Sequence, residues 1–491
     1  MSEFNWMLDG TIVGIYLLVT MAAGVMVRKY VKNVDHFLVA GREMDVYLGI
    51  ASLAATEFGI VTCMYAAQNG FEKGFAGATP GILMALAMLI VGLTGFCIKP
   101  LRESGVITIP ELINRQFGPR IRQASGVVIV LGGLLNMGVF LRTGGEFLVT
   151  VSGLDAGYLE IMMTALLVGV AVYTIMGGML SVLITDFLQF IVMSVGLIAV
   201  TILVLMNIGW ERLVGTVESH YGPGGFNPFV NPSMGGPYIL FNAMLNTAAV
   251  LTWQTTIARV LAAKDAMTGR RIYTRTSFFF VCRFLIPGIW GIAALATLGP
   301  MTDTMQAMPR YLATAVPAGL MGLLIAAMLA ADMSTDSSYM LTWGSVIYND
   351  IMAPFRKTAW SDKAGLFWNR VIIALIGIFL LLYGLWYPLK GDLWTYLGVT
   401  GTIYLASISV LLISACYWKR SNSWGAAAAI IVSAIIPTSY LVFEQLPVTA
   451  DLARQVGPYY SGIAAYLLSA LAMVVGTLVK PPGGQPRYQE K

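Results

Sequence analysis

Apolar stretches of about 20 residues recur along the whole chain, and short polar turns separate them. A helix of that length can cross the roughly 30 Å hydrocarbon core of a lipid bilayer. The stretches centre near residues 18, 57, 88, 137, 167, 196, 248, 287, 328, 375, 405, 435 and 469. The pattern therefore predicts an all-α integral membrane protein with about 13 transmembrane helices.

The composition agrees with a lipid environment. Hydrophobic residues make up 57% of the 491 positions and charged residues only 11%, whereas soluble domains carry roughly 25% charged residues. The first stretch, 8–27, has no basic region before it and no small-residue cleavage site after it, so we predict a retained span and not a signal peptide. The four cysteines all fall inside apolar stretches, which predicts neither a disulfide nor a metal site.

The distribution of Lys and Arg predicts an orientation. Cytoplasmic loops of membrane proteins are enriched in these residues. If the N-terminus lies outside, 23 of the 30 Lys and Arg fall in cytoplasmic segments and five outside, with two inside spans. The cytoplasmic segments are 28–42, 99–122, 259–275, 356–370, 419–420 and the residues after 479. We therefore expect a multi-pass protein of the inner (plasma) membrane with a cytoplasmic C-terminus, whose net charge of +5 serves topology and not nucleic-acid binding.

Seven ionisable side chains fall inside the apolar stretches. Each costs about 3 kcal/mol on insertion scales at the bilayer centre, so each indicates a function or a partner. One alternative is that they pair with one another to hold helices together, and Arg142 and Glu146, one helical turn apart, could neutralise each other without any solute. The seven are Glu57, Arg142, Glu146, Asp186, Arg283, Asp332 and Asp336.

The ninth span carries a stripe of small polar residues. Ala331, Ser334, Thr335 and Ser338 follow i, i+3, i+4, i+7 spacing, which places them on one face of a helix. Hydroxyl and carbonyl oxygens are hard ligands suited to an alkali cation. The alternative is that the small residues only allow close helix packing, with their hydroxyls bonded back to their own helix.

The second span is interrupted near its midpoint by Glu57, Gly59 and Thr62. Such a segment can unwind and turn backbone carbonyls towards a cavity. The predicted topology places this interruption at the depth of the hydroxyl stripe in the ninth span. Asp186, at the cytoplasmic start of the sixth span, lies near the level of Ser337 and Ser338, so we expect two oxygen-rich layers, one above the other.

Several sequence blocks occur in the order found in one transporter family. They are 35–42, 107–112 with 115–118, 177–178 with 185–186 and 189, and 259–264. On these blocks the chain resembles the sodium/solute symporter (solute carrier 5-like) family, which contains bacterial sodium/proline, sodium/galactose and sodium/sialic acid symporters. The resemblance implies a leucine-transporter-like 5+5 inverted repeat within a single transmembrane domain. The first repeat is expected at 46–208 and the second at 238–418, with a peripheral first span and two peripheral C-terminal spans at 425–480.

The resemblance also implies where sodium binds. The main site would use carbonyls of Ala55, Phe58 and Ala331 and hydroxyls of Ser334 and Thr335. A second sodium site would use Asp186, Ser337 and Ser338, and Glu57 falls where the proline transporter has a functionally important aspartate.

The sequence departs from the family in ways that bear on the solute. Val61 and Thr62 stand where the galactose transporter has polar sugar contacts, which disfavours a sugar. Two guanidinium groups near the cavity would suit a carboxylate, because guanidinium binds it bidentately. Asp332 and Asp336 replace apolar or small residues. The residues expected to contact the solute are Glu57, Thr62, Arg142, Trp253, Gln254, Arg283 and Trp394, with helix packing as the alternative for the aromatic ones.

These inferences predict a sodium-coupled secondary active symporter and not an enzyme. We expect a monomeric functional unit that imports a small polar solute, an organic anion or an amino acid, by alternating access. Only two histidines, His36 and His220, are present, both in loops and without a metal-ligand cluster. Two alternatives remain at this point: coupling to protons through the buried carboxylates, and a transporter-like solute sensor.

Overall fold

The computed structural model describes residues 4–356, 360–387 and 392–480 and is helical throughout. Lys357, Lys390 and the basic residues beyond 480, which enter the orientation prediction, lie outside the described residues. The α-helices are α1 (Leu8–Val27), α2 (Val34–Val39), α3 (Val46–Thr56), α4 (Ile60–Lys73), α5 (Thr79–Thr94), α6 (Ile98–Glu103), α7 (Ile109–Phe117), α8 (Pro119–Met137), α9 (Phe140–Ser152), α10 (Leu159–Ile208), α11 (Trp210–Tyr221), α12 (Gly235–Thr252), α13 (Gln254–Ala262), α14 (Ala266–Thr276), α15 (Phe279–Leu298), α16 (Ala307–Ala315), α17 (Leu320–Val346), α18 (Asp362–Trp386), α19 (Leu393–Tyr417), α20 (Ser423–Gln445) and α21 (Ala450–Val479).

Short helical turns fill several connections. Single turns of 3-10 helix lie at Arg28–Tyr30, Ala40–Arg42, Gly74–Ala78, Ala156–Tyr158, Gly222–Gly225, Thr304–Gln306 and Ala353–Phe355, and a π-helical turn at Ile347–Met352 extends α17. Within the described ranges, the only β-type pairing outside helices is an isolated bridge between Met44 and Ala263.

By length and hydropathy, 10 helical stretches of the described chain could cross a membrane. The count of about 13 spans stays a prediction, since some of these stretches are far longer than one crossing. The longest contains α10, whose 50 residues would extend about 75 Å if straight. Gly178, with φ +55° and ψ −147°, interrupts α10, between the two centres that the sequence predicts for its spans.

Two helices are broken in the middle of the molecule. α3 ends at Thr56 and α4 begins at Ile60, which confirms the interruption predicted around Glu57 and Gly59. The second break separates α12 from α13 at Trp253, whose backbone is extended (φ −64°, ψ 114°). Both breaks face the interior, where backbone groups released from helical bonding find protein partners and not lipid.

α17 forms the centre of the packing. It contacts α1, α3, α4, α8, α9, α10, α13 and α18, and every residue from Ala326 to Val346 is buried. α20 and α21 pack mainly on each other and on α19. Large apolar side chains on the outer faces of α1, α10, α20 and α21 are exposed, as expected of helices that face hydrocarbon.

Candidate functional site

A cavity lies beside the α3–α4 break, between α4, α12, α15, α17 and α19. Its walls contain five of the residues that the sequence predicts for solute contact: Glu57, Thr62, Trp253, Arg283 and Trp394. Most other walls are apolar or aromatic and include Tyr65, Met84, Phe140, Leu245 and Tyr339, while polar side chains are contributed by Thr56, Asn136, Asn246 and Thr335. A mostly apolar cavity with a few convergent polar groups is typical of a small-molecule site.

Glu57 supplies the negative charge of this cavity. Only 3% of its surface is exposed. Its Oε1 accepts hydrogen bonds from the hydroxyls of Thr255 (3.1 Å) and Thr256 (2.8 Å), both in the first turn of α13. A helix N-terminus stabilises a nearby anion, so the break at Trp253 creates the place where this carboxylate can be buried.

Arg283 of α15 supplies the positive charge. Its Nη1 lies 3.4 Å from Oε2 of Glu57, and its Nη2 donates to the Tyr65 hydroxyl at 2.6 Å. The guanidinium lies over the rings of Tyr65 and Phe280, with its carbon 5.9 and 5.5 Å from the ring centroids. Its Nε has no hydrogen-bond partner among the described residues. The guanidinium is therefore held in place, while its Nε–H has no acceptor among the described residues.

Thr335 of α17 reaches the broken helix. Its Oγ1 lies 2.9 Å from the carbonyl oxygen of Thr56 and 3.0 Å from that of Ala331. A side chain at Gly59 would place its Cβ 2.8 Å from the same hydroxyl, so a glycine is what allows this close approach. The carbonyl of Ala55 accepts the N–H of Phe58 at 3.3 Å. The structure thus brings the Thr335 hydroxyl and the Ala331 carbonyl, two of the five oxygens predicted for the main sodium site, to the broken helix; the complete site stays a prediction.

Ser334 faces a second polar cluster. Its hydroxyl donates to Oδ1 of Asp186 at 2.5 Å, while Oδ2 of Asp186 accepts from Ser52 at 2.5 Å. Ser337, predicted for the second sodium site, donates to the carbonyl of Ser334 on its own helix. The two predicted oxygen layers are therefore joined, because Ser334 of one contacts Asp186 of the other.

Arg259 lies at the centre of this second cluster, with none of its surface exposed. Its Nη2 lies 2.6 Å from Oγ1 of Thr56, 2.5 Å from Oγ of Ser338 and 3.1 Å from Oδ2 of Asp186, and its Nε donates to Ser52 at 3.1 Å. The topology prediction counted Arg259 among loop cations, and this is wrong: it lies within α13, where these partners compensate its charge. Its position beside the apolar run 260–263 was the available sequence signal.

Two predicted solute contacts lie elsewhere. Nε of Arg142 donates to Glu146 at 2.9 Å and its Nη1 to the carbonyl of Gly384 at 3.3 Å. This is the mutual pairing that the sequence left as the alternative. Gln254 is buried next to the break, and its Oε1 has no partner in the described chain. Neither residue lines the cavity, and contact of either with solute stays a prediction.

Asp332 and Asp336 are buried one turn apart on α17, each about 1% exposed. Oδ2 of Asp332 and Oδ1 of Asp336 have no hydrogen-bond partner among the described residues. Gly144 of α9 faces Asp332, and a Cβ there would lie 3.2 Å from Oδ2. Buried carboxylates without a cationic partner are expensive unless they are neutral.

Comparisons with known proteins bear on the family and the fold. The model of the family described as "Sodium:solute symporter family" matches residues 37–433. The chain is 24% identical to the osmoregulated proline transporter OpuE of Bacillus subtilis (strain 168), over 97% of this chain and 96% of that protein. It is 25% identical to sodium/glucose cotransporter 4 of Danio rerio, over 89% of this chain and 72% of that one.

Solved structures show the same architecture. A Na+-coupled sialic acid symporter in a substrate-bound outward-open state superposes with a TM-score of 0.81 at 20% identity, over 98% of this chain and 99% of that one. MhsT in complex with L-phenylalanine gives a TM-score of 0.56 at 14% identity, over 89% and 98%. These likenesses confirm the predicted fold class, an all-α membrane protein of the leucine-transporter-like type.

Proposed function

Because the chain belongs to the sodium:solute symporter family, we propose that it imports a small carboxylate-bearing solute, an organic anion or an amino acid, together with sodium. Membership confirms that the protein is a membrane transporter and not an enzyme. The relatives differ in the substrate that their names give, since proline, glucose and myo-inositol all occur among them. The choice of solute therefore depends on the cavity of this chain.

One observation carries the proposal: the junction between α17 and the α3–α4 break opens onto a cavity that contains a buried guanidinium. Sodium would bind between the carbonyls of Ala55, Phe58 and Ala331 and the hydroxyls of Ser334 and Thr335. Thr335 already lies within hydrogen-bond distance of both helices. Thr56 and Thr335 also line the cavity, so bound sodium and bound solute would share a wall.

Sodium on this junction would couple to solute by changing the population of one conformer. An ion that binds two conformers equally shifts neither, so sodium must favour the conformer in which α17 and the break are correctly spaced. Solute then binds to the conformer that sodium stabilises. Closure of the external side then traps sodium and solute together before the cytoplasmic side opens. Asp186 with Ser337 and Ser338 could accept a second sodium only if Arg259 withdrew, because Nη2 of Arg259 contacts Asp186 and Ser338.

Substitution of both hydroxyls tests the main site. Ser334→Ala with Thr335→Ala removes two of five proposed ligands, and we expect the sodium concentration for half-maximal uptake to rise about tenfold or more, equivalent to at least ~1.4 kcal/mol. The measurement is solute uptake into proteoliposomes under imposed sodium gradients. Ser345→Ala is the matched control on α17, since that hydroxyl bonds back to Thr342 of its own helix.

An unchanged sodium dependence in the double variant would refute the site. The same proteoliposomes with an imposed proton gradient test the alternative of proton coupling. Oδ2 of Asp332 and Oδ1 of Asp336, which have no hydrogen-bond partner in the described part of the chain, favour that alternative. Uptake driven by a proton gradient in the absence of sodium would show that the coupling ion is the proton and not sodium.

A further inference from the structure

The cavity offers one buried anion and one buried cation that hold each other only loosely. Nη1 of Arg283 and Oε2 of Glu57 are 3.4 Å apart, longer than the 2.7–2.9 Å usual for a charge-assisted hydrogen bond. Each group is fixed by other partners: Glu57 by the hydroxyls of Thr255 and Thr256, and Arg283 by the hydroxyl of Tyr65. The pair can therefore be separated by an inserted ligand without releasing either side chain.

Both groups have hydrogen-bonding capacity to give to a ligand. The contact with Arg283 is the only hydrogen bond of Oε2 of Glu57 within the described chain, and Nε of Arg283 has no partner there. Both residues are more than nine-tenths buried and line the same cavity. Full pairing of these atoms requires an acceptor beside Arg283 and a donor beside Glu57.

The charge balance between Glu57 and Arg283 disfavours a ligand with a single charge. A simple carboxylate that took Arg283 would leave Glu57 buried without its counter-charge, and a simple amine would strand Arg283 in the same way. An unpaired buried charge is strongly destabilising. A neutral polyol would leave the ion pair intact but finds mostly apolar and aromatic walls. A ligand that carries both an ammonium and a carboxylate gives Glu57 and Arg283 one opposite charge each. Its own net charge is zero, so the net charge of the cavity does not change.

We propose that the solute is a small zwitterion, whose ammonium binds Oε2 of Glu57 and whose carboxylate binds Arg283, an inference that rests on the proposed function. Its uncharged part packs against apolar walls that include Met84, Phe140 and Trp394. The empty cavity contains an internal ion pair and the loaded cavity contains two external ones. Apart from the bound sodium, both forms are electrically balanced, so the solute itself adds no net charge to the buried cavity.

Matched ligand sets test the charge requirement. Each set contains an amino acid, a matched acid without the amine and a matched amine without the carboxylate: L-valine, isovalerate and isobutylamine; L-phenylalanine, 3-phenylpropionate and phenethylamine; L-proline, cyclopentanecarboxylate and pyrrolidine. The measurement is thermal stabilisation of the purified protein in sodium and in potassium. In at least one set we expect the amino acid to bind in sodium at least tenfold more tightly than both partners. The proposal of a zwitterionic solute is overturned if an acid binds as tightly as its amino acid. It is also overturned if no compound of the three sets stabilises the protein.

Inositol, glucose and succinate, measured in parallel, separate this inference from the proposed function. Sodium-dependent stabilisation by succinate alone overturns the zwitterion but retains a sodium symporter for organic anions. Stabilisation by inositol or glucose alone overturns both the zwitterion and the proposed solute class, while sodium coupling stands. Sodium-independent stabilisation by any compound counts against the proposed coupling itself.

A conservative variant distinguishes a loss of charge from a loss of packing, because only the loss of charge should change the order of ligand affinities. Glu57→Gln keeps the shape and an acceptor for the threonine hydroxyls but removes the charge that balances Arg283. We expect the amino acid to lose at least tenfold in affinity while its matched acid gains, so that their order reverses. Glu103→Gln, at an exposed position whose carboxylate pairs with Lys99 at 3.9 Å, is the control. Equal losses for acid and amino acid in Glu57→Gln would contradict the assignment.

Discussion

Single residues decide whether a charged side chain can be buried inside this protein, because each buried charge needs a polar partner. The sequence identified Glu57, Asp186 and Arg283 as functional candidates because charges are rare in apolar spans, and the structure gives each of them a polar partner. It did not identify Arg259, because a cation near the end of an apolar run has the same pattern as a loop cation. It also did not identify Thr255 and Thr256, whose hydroxyls face Glu57 only because α13 starts at Gln254. Burial of a charge depends on distant partners, which one sequence does not display.

Removal of Arg259 should be among the most damaging single changes in the chain. Arg259→Ala leaves the fully buried Asp186 without its cation, and breaking such a pair costs about 3–5 kcal/mol. Unfolding of the detergent-solubilised protein measures the loss. Addition of Asp186→Asn should recover part of it, because the stranded charge is then absent.

The exposed pair of Asp451 and Arg454 supplies the comparison, since both side chains are more than three-quarters exposed. Arg454→Ala should change stability by less than about 1 kcal/mol. A loss at Arg259→Ala no larger than that would show that the Asp186 cluster is hydrated and not buried.

At the scale of helices, the hydropathy pattern predicted where the helices lie, and glycines helped to predict some of the breaks between them. The interruption between α3 and α4 was predicted from Glu57 and Gly59, and the structure confirms it. The break between α12 and α13 was not predicted, since neither Gly nor Pro marks it. Trp253 adopts an extended backbone there, and its indole N–H donates to the Tyr339 hydroxyl at 2.9 Å. Tertiary contacts therefore produce this break, and local propensity does not reveal it.

Gly178 should be irreplaceable within α10. Its φ of +55° suits glycine, and a Cβ would lie 2.5 Å from the carbonyl oxygen of Phe37. Gly178→Ala therefore combines backbone strain with a steric clash, and we expect a loss of about 1–3 kcal/mol or more. Gly169→Ala on the same helix has nothing within 4 Å and should be neutral or stabilising by up to about 1 kcal/mol. Thermal unfolding in detergent compares the two variants, and equal stabilities would contradict the kink seen at Gly178.

At the scale of the whole molecule, polar contacts tie together the helices at both ends of the cavity. At one end, Nζ of Lys73 on α4 lies 2.9 Å from Oδ2 of Asp392, which begins α19. At the other end, Arg259 joins α13 to Asp186 of α10. The sequence predicted a cavity beside the interrupted second span but not these contacts, because they join segments more than 70 residues apart. Opening of either end requires its ion pair to separate.

The Lys73 pair should remain intact across the physiological pH range. Burial raises the pKa of the Asp392 carboxyl, but the Lys73 ammonium and the N–H of Thr395 outweigh burial and hold that pKa below its usual value. A lowered carboxyl pKa contributes stability above the unfolded value of about 3.9, and this contribution is lost only as pH falls through the folded value. Changes in transport between pH 6 and pH 8 should therefore be unaffected by Asp392→Asn.

Neutralising Asp392 should instead shift the balance of conformers at any pH. Asparagine still accepts the N–H of Thr395 as a helix N-cap, so Asp392→Asn removes the ion pair and keeps the start of α19. In a chain without other cysteines, a cysteine at Asn246 on the cavity wall should then react faster with a membrane-impermeant thiol reagent. The reagent is added from the side that the topology prediction calls external. Asp451→Asn, in an exposed pair, should leave the labelling rate unchanged. Acceleration only from the opposite side would mean that the predicted orientation is inverted, whereas no acceleration from either side would mean that Lys73 and Asp392 do not restrain this end.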